Sequence, residues 1–107
     1  LVGTLENVNT VPGEFQLSAP YPNPFNPVTT IAYNVPLDCE IELTIYDLRG
    51  RLVEQLISGY VEAGSYKITW NASKYSSGMY LVQMIIQDAQ NIDKSHLIQT
   101  QKMVLLK

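Results

Sequence analysis

The stretch that decides the fold spans residues 30–46 and reads TIAYNVPLDCEIELTIY. Apolar side chains occupy every second position over 31–35, and the same alternation resumes over 41–45. Between the two runs, Pro36-Leu37-Asp38 breaks the pattern with residues typical of a turn. A period of two is that of a strand with one buried face, so this stretch predicts two half-buried antiparallel strands joined by a turn.

The alternation recurs on both sides of this stretch. It predicts seven strands, at 15–17, 30–35, 41–46, 51–57, 66–70, 79–87 and 97–106. Asp47-Leu48-Arg49-Gly50 predicts a tight turn, and Ser58-Gly59 predicts the end of the fourth strand. Residues 49–56 also fit two helical turns, an alternative that the short spacing of the neighbouring strands disfavours. Seven short strands at this spacing predict an all-β, antiparallel sandwich, with 79–87 in the middle of a sheet because that run is nearly continuous in apolar residues.

The length and charge of the chain limit the functions that it can have. The chain has 107 residues, enough for one packed domain, which we place at 15–107. Residues 1–14 show no sustained period and predict a linker, and the absence of a signal-peptide pattern after Leu1 indicates a piece of a longer protein. The formal net charge is −3 and the basic residues are dispersed, which argues against nucleic-acid binding. No apolar run has the length that a transmembrane helix needs.

The sequence lacks the groupings that catalysis and metal binding require. The single histidine, His96, is expected to be a solvated residue at the start of the last strand. The single cysteine, Cys39, has acidic neighbours that disfavour a thiolate. There are two acidic groupings, Asp38/Glu40/Glu42 and Asp88/Asp93. Neither has the spacing of a calcium loop. We therefore predict no enzyme activity, no metal and no cofactor, with a weak surface calcium site as the remaining alternative.

The aromatic residues leave a second function open. Those at alternating strand positions are expected in the core and are Tyr33, Tyr66, Trp70 and Tyr80. Those in loops are Tyr21, Tyr60 and Tyr75. One alternative function is a carbohydrate-binding module of a secreted glycoside hydrolase or adhesin, which would bind sugars through Tyr21, Tyr60 or Tyr75. The other is a structural spacer module of such a protein.

A proline-rich segment precedes the first long strand. It reads Tyr21-Pro22-Asn23-Pro24-Phe25-Asn26-Pro27, and four prolines fall within 20–27. Proline lacks a backbone donor and fixes φ, so the segment can be neither helix nor central strand. We predict a stiff loop of defined shape.

Four motifs carry a resemblance to a known family over residues 17–107. They are the proline-rich segment followed by Thr29-Thr30-Ile31, the turn Tyr46-Asp47-Leu48-Arg49-Gly50-Arg51, the element Ser77-Gly78-Met79-Tyr80, and the terminal run Lys102-Met103-Val104-Leu105-Leu106-Lys107. In this order, they resemble the type A C-terminal sorting domain of the type IX (Por) secretion system.

The resemblance implies a seven-stranded immunoglobulin-like sandwich that addresses a covalently fused upstream passenger for export. It implies an outer-membrane translocon and a sortase as partners, transit through the periplasm, removal of the domain by cleavage in the linker before Phe15, and a passenger at the cell surface or outside the cell. By motif match, translocon recognition falls on Lys102, Met103, Val104, Leu105, Leu106 and Lys107, with Gly78 and Tyr80 beside them. Pro22, Asn23 and Pro24 are expected to shape the opposite end of the domain.

The last strand suits recognition by another protein. A terminal strand with free backbone groups can pair with the sheet edge of a receptor, and Lys102 and Lys107 would limit aggregation through that edge. The sequence leaves open a weak edge-to-edge dimer.

Overall fold

The computed structural model describes residues 13–87 and 98–107, which form seven β-strands and no helix. The strands are β1 Gln16–Leu17, β2 Val28–Val35, β3 Cys39–Asp47, β4 Leu52–Val61, β5 Gly64–Asn71, β6 Gly78–Gln87 and β7 Ile98–Leu105. The segment between the last two predicted strands, which includes His96, and most of the predicted linker lie outside the described residues. The all-β prediction is confirmed.

The strands form two sheets. One has the order β1-β2-β5 and the other the order β4-β3-β6-β7, and all neighbours are antiparallel. β6 lies between β3 and β7, which confirms the central position that its apolar composition predicted. The edges of the four-stranded sheet are therefore β4 and β7.

The alternation read from the sequence places the core. In β2 the side chains of Ile31, Tyr33 and Val35 are buried, and in β3 every second residue from Cys39 to Ile45 is buried. The strands of both sheets contribute to a single cluster of buried side chains, joined by Phe25 of the proline-rich segment. The core thus lies between the two sheets, and each strand turns its other face outward.

The fourth strand differs from its prediction. β4 does not end at Ser58-Gly59 but continues to Val61, with Gly59 paired opposite Ile41. The register of β4 against β3 shifts twice, and Gly59 has a φ of 144°, which other residues rarely adopt. Both shifts lie nearer the start of β4, opposite residues 43–46, whereas Gly59 keeps the regular register. This glycine therefore lies inside the strand and does not mark a turn, so reading it as a strand breaker misled the prediction. The helical alternative for residues 49–56 is wrong, because β4 begins at Leu52.

Candidate functional site at the terminal strand

The terminal strand β7 has an inner side that is buried in the core. Met103 and Leu105 have no exposed surface, and they pair across the backbone with Tyr80 and Gly78 of β6. The structure therefore brings Gly78 and Tyr80 next to the terminal run, as the sequence predicted. Because the side chains of Met103, Leu105 and Tyr80 face the core, a partner that contacts the folded domain does not reach them.

The other residues of the terminal run lie outside the core. Lys102 and Leu106 are exposed and Val104 is half-buried, because they alternate with the two core residues. Lys107 is held to the neighbouring loop: its backbone N–H donates to Ser77 Oγ at 2.9 Å, and its Nζ donates to the carbonyl of Ser73 at 2.6 Å. The outward-facing part of the site is thus Lys102, Val104, Leu106 and Lys107.

The proline-rich segment lies against the edge of β7 that does not pair with β6. The Asn23 carboxamide makes two contacts with that edge: its Nδ2 donates to the carbonyl of Lys102 at 2.9 Å, and its Oδ1 accepts from the N–H of Val104 at 2.9 Å. A carboxamide both donates and accepts, as a peptide group does, so the side chain of Asn23 pairs with β7 in the manner of a neighbouring strand.

Phe25 continues this pairing with its backbone. Its N–H donates to the carbonyl of Val104 at 2.9 Å, and its carbonyl accepts from the N–H of Leu106 at 3.0 Å. Phe25 and Leu105 form a parallel bridge. Together with Asn23, this residue engages four backbone groups on the outer edge of the terminal run.

Two expectations from the sequence are therefore corrected. Pro22, Asn23 and Pro24 were expected at the opposite end of the domain from the terminal run, yet the segment that contains them is hydrogen-bonded to it. The terminal strand was expected to have free backbone groups, yet its edge from Lys102 to Leu106 is paired. The reading along the chain could not detect the pairing, because the partners are about eighty residues apart and proline conceals the extended character of the segment.

The segment is shaped by its own contacts. The bonds from Tyr21 to Pro22, from Asn23 to Pro24 and from Asn26 to Pro27 are cis. Tyr21 exchanges two backbone hydrogen bonds with Thr30, and Thr29 Oγ1 donates to the carbonyl of Pro22 at 2.8 Å. These contacts confirm the prediction of a loop of defined shape, and they direct Asn23 and Phe25 toward β7.

Phe25 anchors the proline-rich segment in the core, a role that the sequence pattern did not predict. Its ring is 2% exposed and lies 5.7 Å from the ring of Trp70, which lies 5.7 Å from Tyr80 and 5.8 Å from Tyr75. A lone aromatic residue among prolines and asparagines is a candidate for such an anchor, because no other residue of the segment buries as much apolar area. The aromatic cluster thus joins the proline-rich segment to the Gly78–Tyr80 element.

The polar atoms of this cluster are satisfied. Trp70 Nε1 donates to Glu54 Oε1 at 3.1 Å, and the hydroxyl of Tyr75 donates to the same oxygen at 3.0 Å. Desolvation, followed by the hydrogen bond to Glu54, raises the pKa of Tyr75. The hydroxyl of Tyr80 donates to the carbonyl of Ser76 at 2.6 Å. The cluster carries no unpaired group that would suggest catalysis.

Two glutamines on the inner side of β7 bind the first strand. Gln99 Oε1 accepts from the N–H of Leu17 at 2.7 Å, and Gln99 Nε2 donates to the carbonyl of Phe15 at 2.9 Å. Gln101 Nε2 donates to the carbonyl of Leu17 at 2.9 Å. These side chains connect the edges of the two sheets. No sequence signal marks them, because polar residues at inward positions look like a broken strand pattern.

The structure separates the three loop tyrosines considered for sugar binding. Tyr60 was expected in a loop but lies in the edge strand β4, opposite Glu40, whereas Tyr21 pairs with Thr30 of the other sheet. Tyr75 is half-buried in the aromatic cluster. Since they do not share one surface, they form no common platform for a glycan.

Three further features of the described residues bear on function, namely metal ligands, membrane-spanning helices and surface depressions. Residues 13–87 and 98–107 contain no group of three or more His, Cys, Asp or Glu side chains placed to hold a metal ion. None of the described residues forms a helix able to cross a membrane. A surface depression of about 480 Å³ is lined by 13–16, Pro36, Leu37 and Gln99, none of which belongs to the terminal run.

Comparison with known proteins agrees with the motifs. A family model described as "Secretion system C-terminal sorting domain" matches residues 19–99. A search of curated proteins found no match. Among solved structures, the chain is similar to "Crystal structure of dimeric latent PorU from Porphyromonas gingivalis", with 20% sequence identity and a TM-score of 0.59. The similarity covers 87% of this chain and 9% of that one, and at this identity it shows the fold alone.

Proposed function

Because the chain belongs to the family of secretion-system C-terminal sorting domains, the C-terminal signals of type IX secretion, we propose that the outer side of its terminal strand is what the outer-membrane translocon recognises. The domain directs an upstream passenger across the outer membrane, toward the cell surface or the extracellular space. No catalytic step is assigned to the domain itself.

The division of β7 into two sides carries this proposal. Met103 and Leu105 are buried, so a translocon that binds the folded domain contacts Lys102, Val104, Leu106 and the main chain of Lys107 instead. Gly78 and Tyr80 act by positioning the strand, since Gly78 pairs with Leu105 and Tyr80 pairs with Met103. The recognition motif therefore combines residues that are read with residues that hold the strand in place.

Strand addition to β7 is restricted to its first half. Asn23 and Phe25 occupy the edge from Lys102 to Leu106, so a receptor strand would have to displace them there. By the alternation of β7, the backbone of Thr100 also points to this edge, and no described residue hydrogen-bonds to it. A receptor strand could pair at Thr100 while the side chains of Lys102 and Val104 supply selectivity.

The remaining steps follow from the family. The two sheets form an immunoglobulin-like sandwich that crosses the periplasm with its passenger. A sortase then removes the domain by cleavage in the linker before Phe15. The passenger remains at the cell surface or is released outside the cell.

A fused reporter tests the proposal. The chain is placed behind an epitope-tagged passenger in a host with type IX secretion, and surface display is measured by antibody labelling of whole cells. Deleting 102–107 is unsuitable, because it removes the core residues Met103 and Leu105. The double variant Lys102→Ser/Val104→Ser changes only the outer side and should reduce display strongly, with the passenger retained in the periplasm.

The matched control lies on the other sheet. The double variant Lys67→Ser/Ala32→Ser changes a pair of facing residues on the outer side of the three-stranded sheet, and it should be displayed as the wild type is. Thermal unfolding of each purified chain shows whether the fold is retained. Normal display of a folded Lys102→Ser/Val104→Ser variant would contradict the proposal.

A further inference from the structure

The outer faces of the two sheets differ in character. The three-stranded sheet turns mostly polar and small residues outward, namely Gln16, Val28, Thr30, Ala32, Asn34, Ser65, Lys67, Thr69 and Asn71. The four-stranded sheet turns several large apolar residues outward as well, namely Tyr46, Leu52, Met79, Leu81, Ile85, Ile98 and Val104. An apolar outer face on one sheet only indicates an interaction surface there.

One row of residues crosses the whole outer face of the four-stranded sheet. Leu52 pairs with Tyr46, Tyr46 pairs with Leu81, and Leu81 pairs with Lys102, so the row passes through all four strands. Leu52 is 64% exposed, while Tyr46 and Leu81 are half-buried. The row connects the turn between β3 and β4 to the terminal strand, which are two of the family motifs.

Only some residues of the turn between β3 and β4 have a role in folding. The Asp47 carboxylate accepts the N–H groups of Arg49 and Arg51 at 2.9 and 3.0 Å and the Nε of Arg51 at 3.0 Å. Gly50 has a φ of 83°, which glycine adopts without strain. The side chains of Leu48 and Arg49 have no such role: Leu48 is 61% exposed, and no described residue pairs with the Arg49 guanidinium.

The charges of this face are separated along the strands. At the end with the turn, Lys102 on this face and Arg49 in the exposed turn lack a carboxylate partner, since the one ion pair among the described residues joins Arg51 to Asp47. At the other end, Glu40 and Glu42 of β3 lie on the same outer face. The end next to the terminal run is therefore the one that attracts negative charge.

A depression lies beside the row. Its volume is about 260 Å³, and it is lined by Tyr46, Gly50, Leu81, Gln83 and Thr100. Its volume is enough for one side chain, and Tyr46 and Leu81 give it an apolar lining. Lys102 lies two residues beyond Thr100 on the same side of β7. A concave site for a single side chain fits a protein partner better than a lipid surface, which offers no protruding group to fill it.

We propose that this surface binds a segment of a secretion-system protein in which an apolar side chain is flanked by carboxylates. The apolar side chain fills the depression, and the carboxylates meet Arg49 and Lys102. Leu48 and Leu52 cover the contact from the side of the turn. The inference rests on the proposed function, and it extends the recognition surface from the terminal strand to the turn between β3 and β4.

The test uses substitutions away from the terminal strand in the same passenger fusion. Arg49→Glu, Leu48→Ser and Leu81→Gln should each lower surface display by about tenfold, as expected for central interface residues. Arg49→Lys keeps the charge and should retain most of the display. Lys67→Glu makes the same charge change as Arg49→Glu on the other sheet and should leave display unchanged. Arg49 and Leu48 are exposed, so these variants should keep the fold even if Leu81→Gln does not.

The outcomes separate the two proposals. Loss of display in Arg49→Glu and Leu48→Ser, but not in Lys67→Glu, supports the surface. Wild-type display of Arg49→Glu overturns it, and so does an equal loss in Lys67→Glu, while the proposed function stands. Binding of the purified chain to phosphatidylglycerol vesicles that Arg49→Glu abolishes overturns it in favour of a membrane. Failure of the wild-type fusion to be displayed is the result that counts against the proposed function itself.

Discussion

The inward-facing side chains of β7 are bound by the rest of the domain, whereas most of its outward-facing side chains are not. Inward, Met103 and Leu105 are buried, and Gln99 and Gln101 bind the first strand. Outward, Lys102 is exposed and makes no ion pair among the described residues. The terminal motif therefore contains two alternating sets of residues, of which one serves folding and the other is available for recognition.

The largest effect on stability is expected on the inner side. Leu105→Ala should lower the free energy of unfolding by about 2–5 kcal/mol, because a fully buried leucine leaves a cavity when it is truncated. The neighbouring Leu106 is 56% exposed, so Leu106→Ala is the matched control and should change stability by less than about 0.5 kcal/mol. Urea unfolding followed by the fluorescence of the single tryptophan, Trp70, measures both. Equal losses in the two variants would remove the distinction between the sides.

The connection between the sheets should come next. Gln99→Ala removes two hydrogen bonds to the first strand and leaves the N–H of Leu17 and the carbonyl of Phe15 without their partner, which should cost about 1–3 kcal/mol. Thr100→Ala is the control on the outer side of the same strand and should be close to neutral. If Gln99→Ala were also neutral in urea unfolding, the side-chain bridge would have no role in stability.

The sequence pattern predicted most of the strands, but it missed the hydrogen bonds between residues that are far apart along the chain. The alternation in β2 and β3 predicted which side chains are buried, because period two in a strand directly reports a buried face. It failed at Gly59, which lies inside a strand in regular register although glycine usually weakens one. It also missed the pairing of Asn23 with Val104, because a side-chain amide that replaces a strand leaves no periodic signal.

The edge pairing itself can be tested at Asn23. Asn23→Asp keeps the shape of the side chain but places a carboxylate oxygen against the carbonyl of Lys102, where Nδ2 now donates. Since the site is exposed, we expect a loss of about 1 kcal/mol, close to that of Asn23→Ala. Native-state hydrogen exchange of the Val104 amide should rise most in Asn23→Ala, because Asn23→Asp keeps an oxygen that can accept from this N–H. An unchanged exchange rate at Val104 in Asn23→Ala would show that the side chain of Asn23 does not protect this edge.

The smallest effect is expected at the turn that ends the outer row. The backbone N–H of Arg51 contributes most to lowering the pKa of Asp47. Desolvation opposes it, and the side chain of Arg51 and the N–H of Arg49 lower the pKa further. A carboxyl whose pKa is lowered by folding stabilises the native state above its unfolded pKa, near pH 4, and loses that contribution as the pH falls through the folded value. Asp47→Asn should therefore be slightly less stable than the wild type at neutral pH, and the difference should shrink below about pH 4.

Arg51→Ala sharpens this last test. It removes the ion pair but keeps the backbone N–H, so most of the acid dependence assigned to Asp47 should remain. Thermal unfolding of the wild type and both variants from neutral to acidic pH measures the difference. If the wild type and Asp47→Asn lost stability in parallel below pH 4, the Asp47 carboxylate would not hold the turn, and the exposed position of Arg49 in the turn would need another cause. Since the substitution leaves both sides of β7 intact, any effect on export larger than its effect on stability would assign the turn to the outer, recognised part of the molecule.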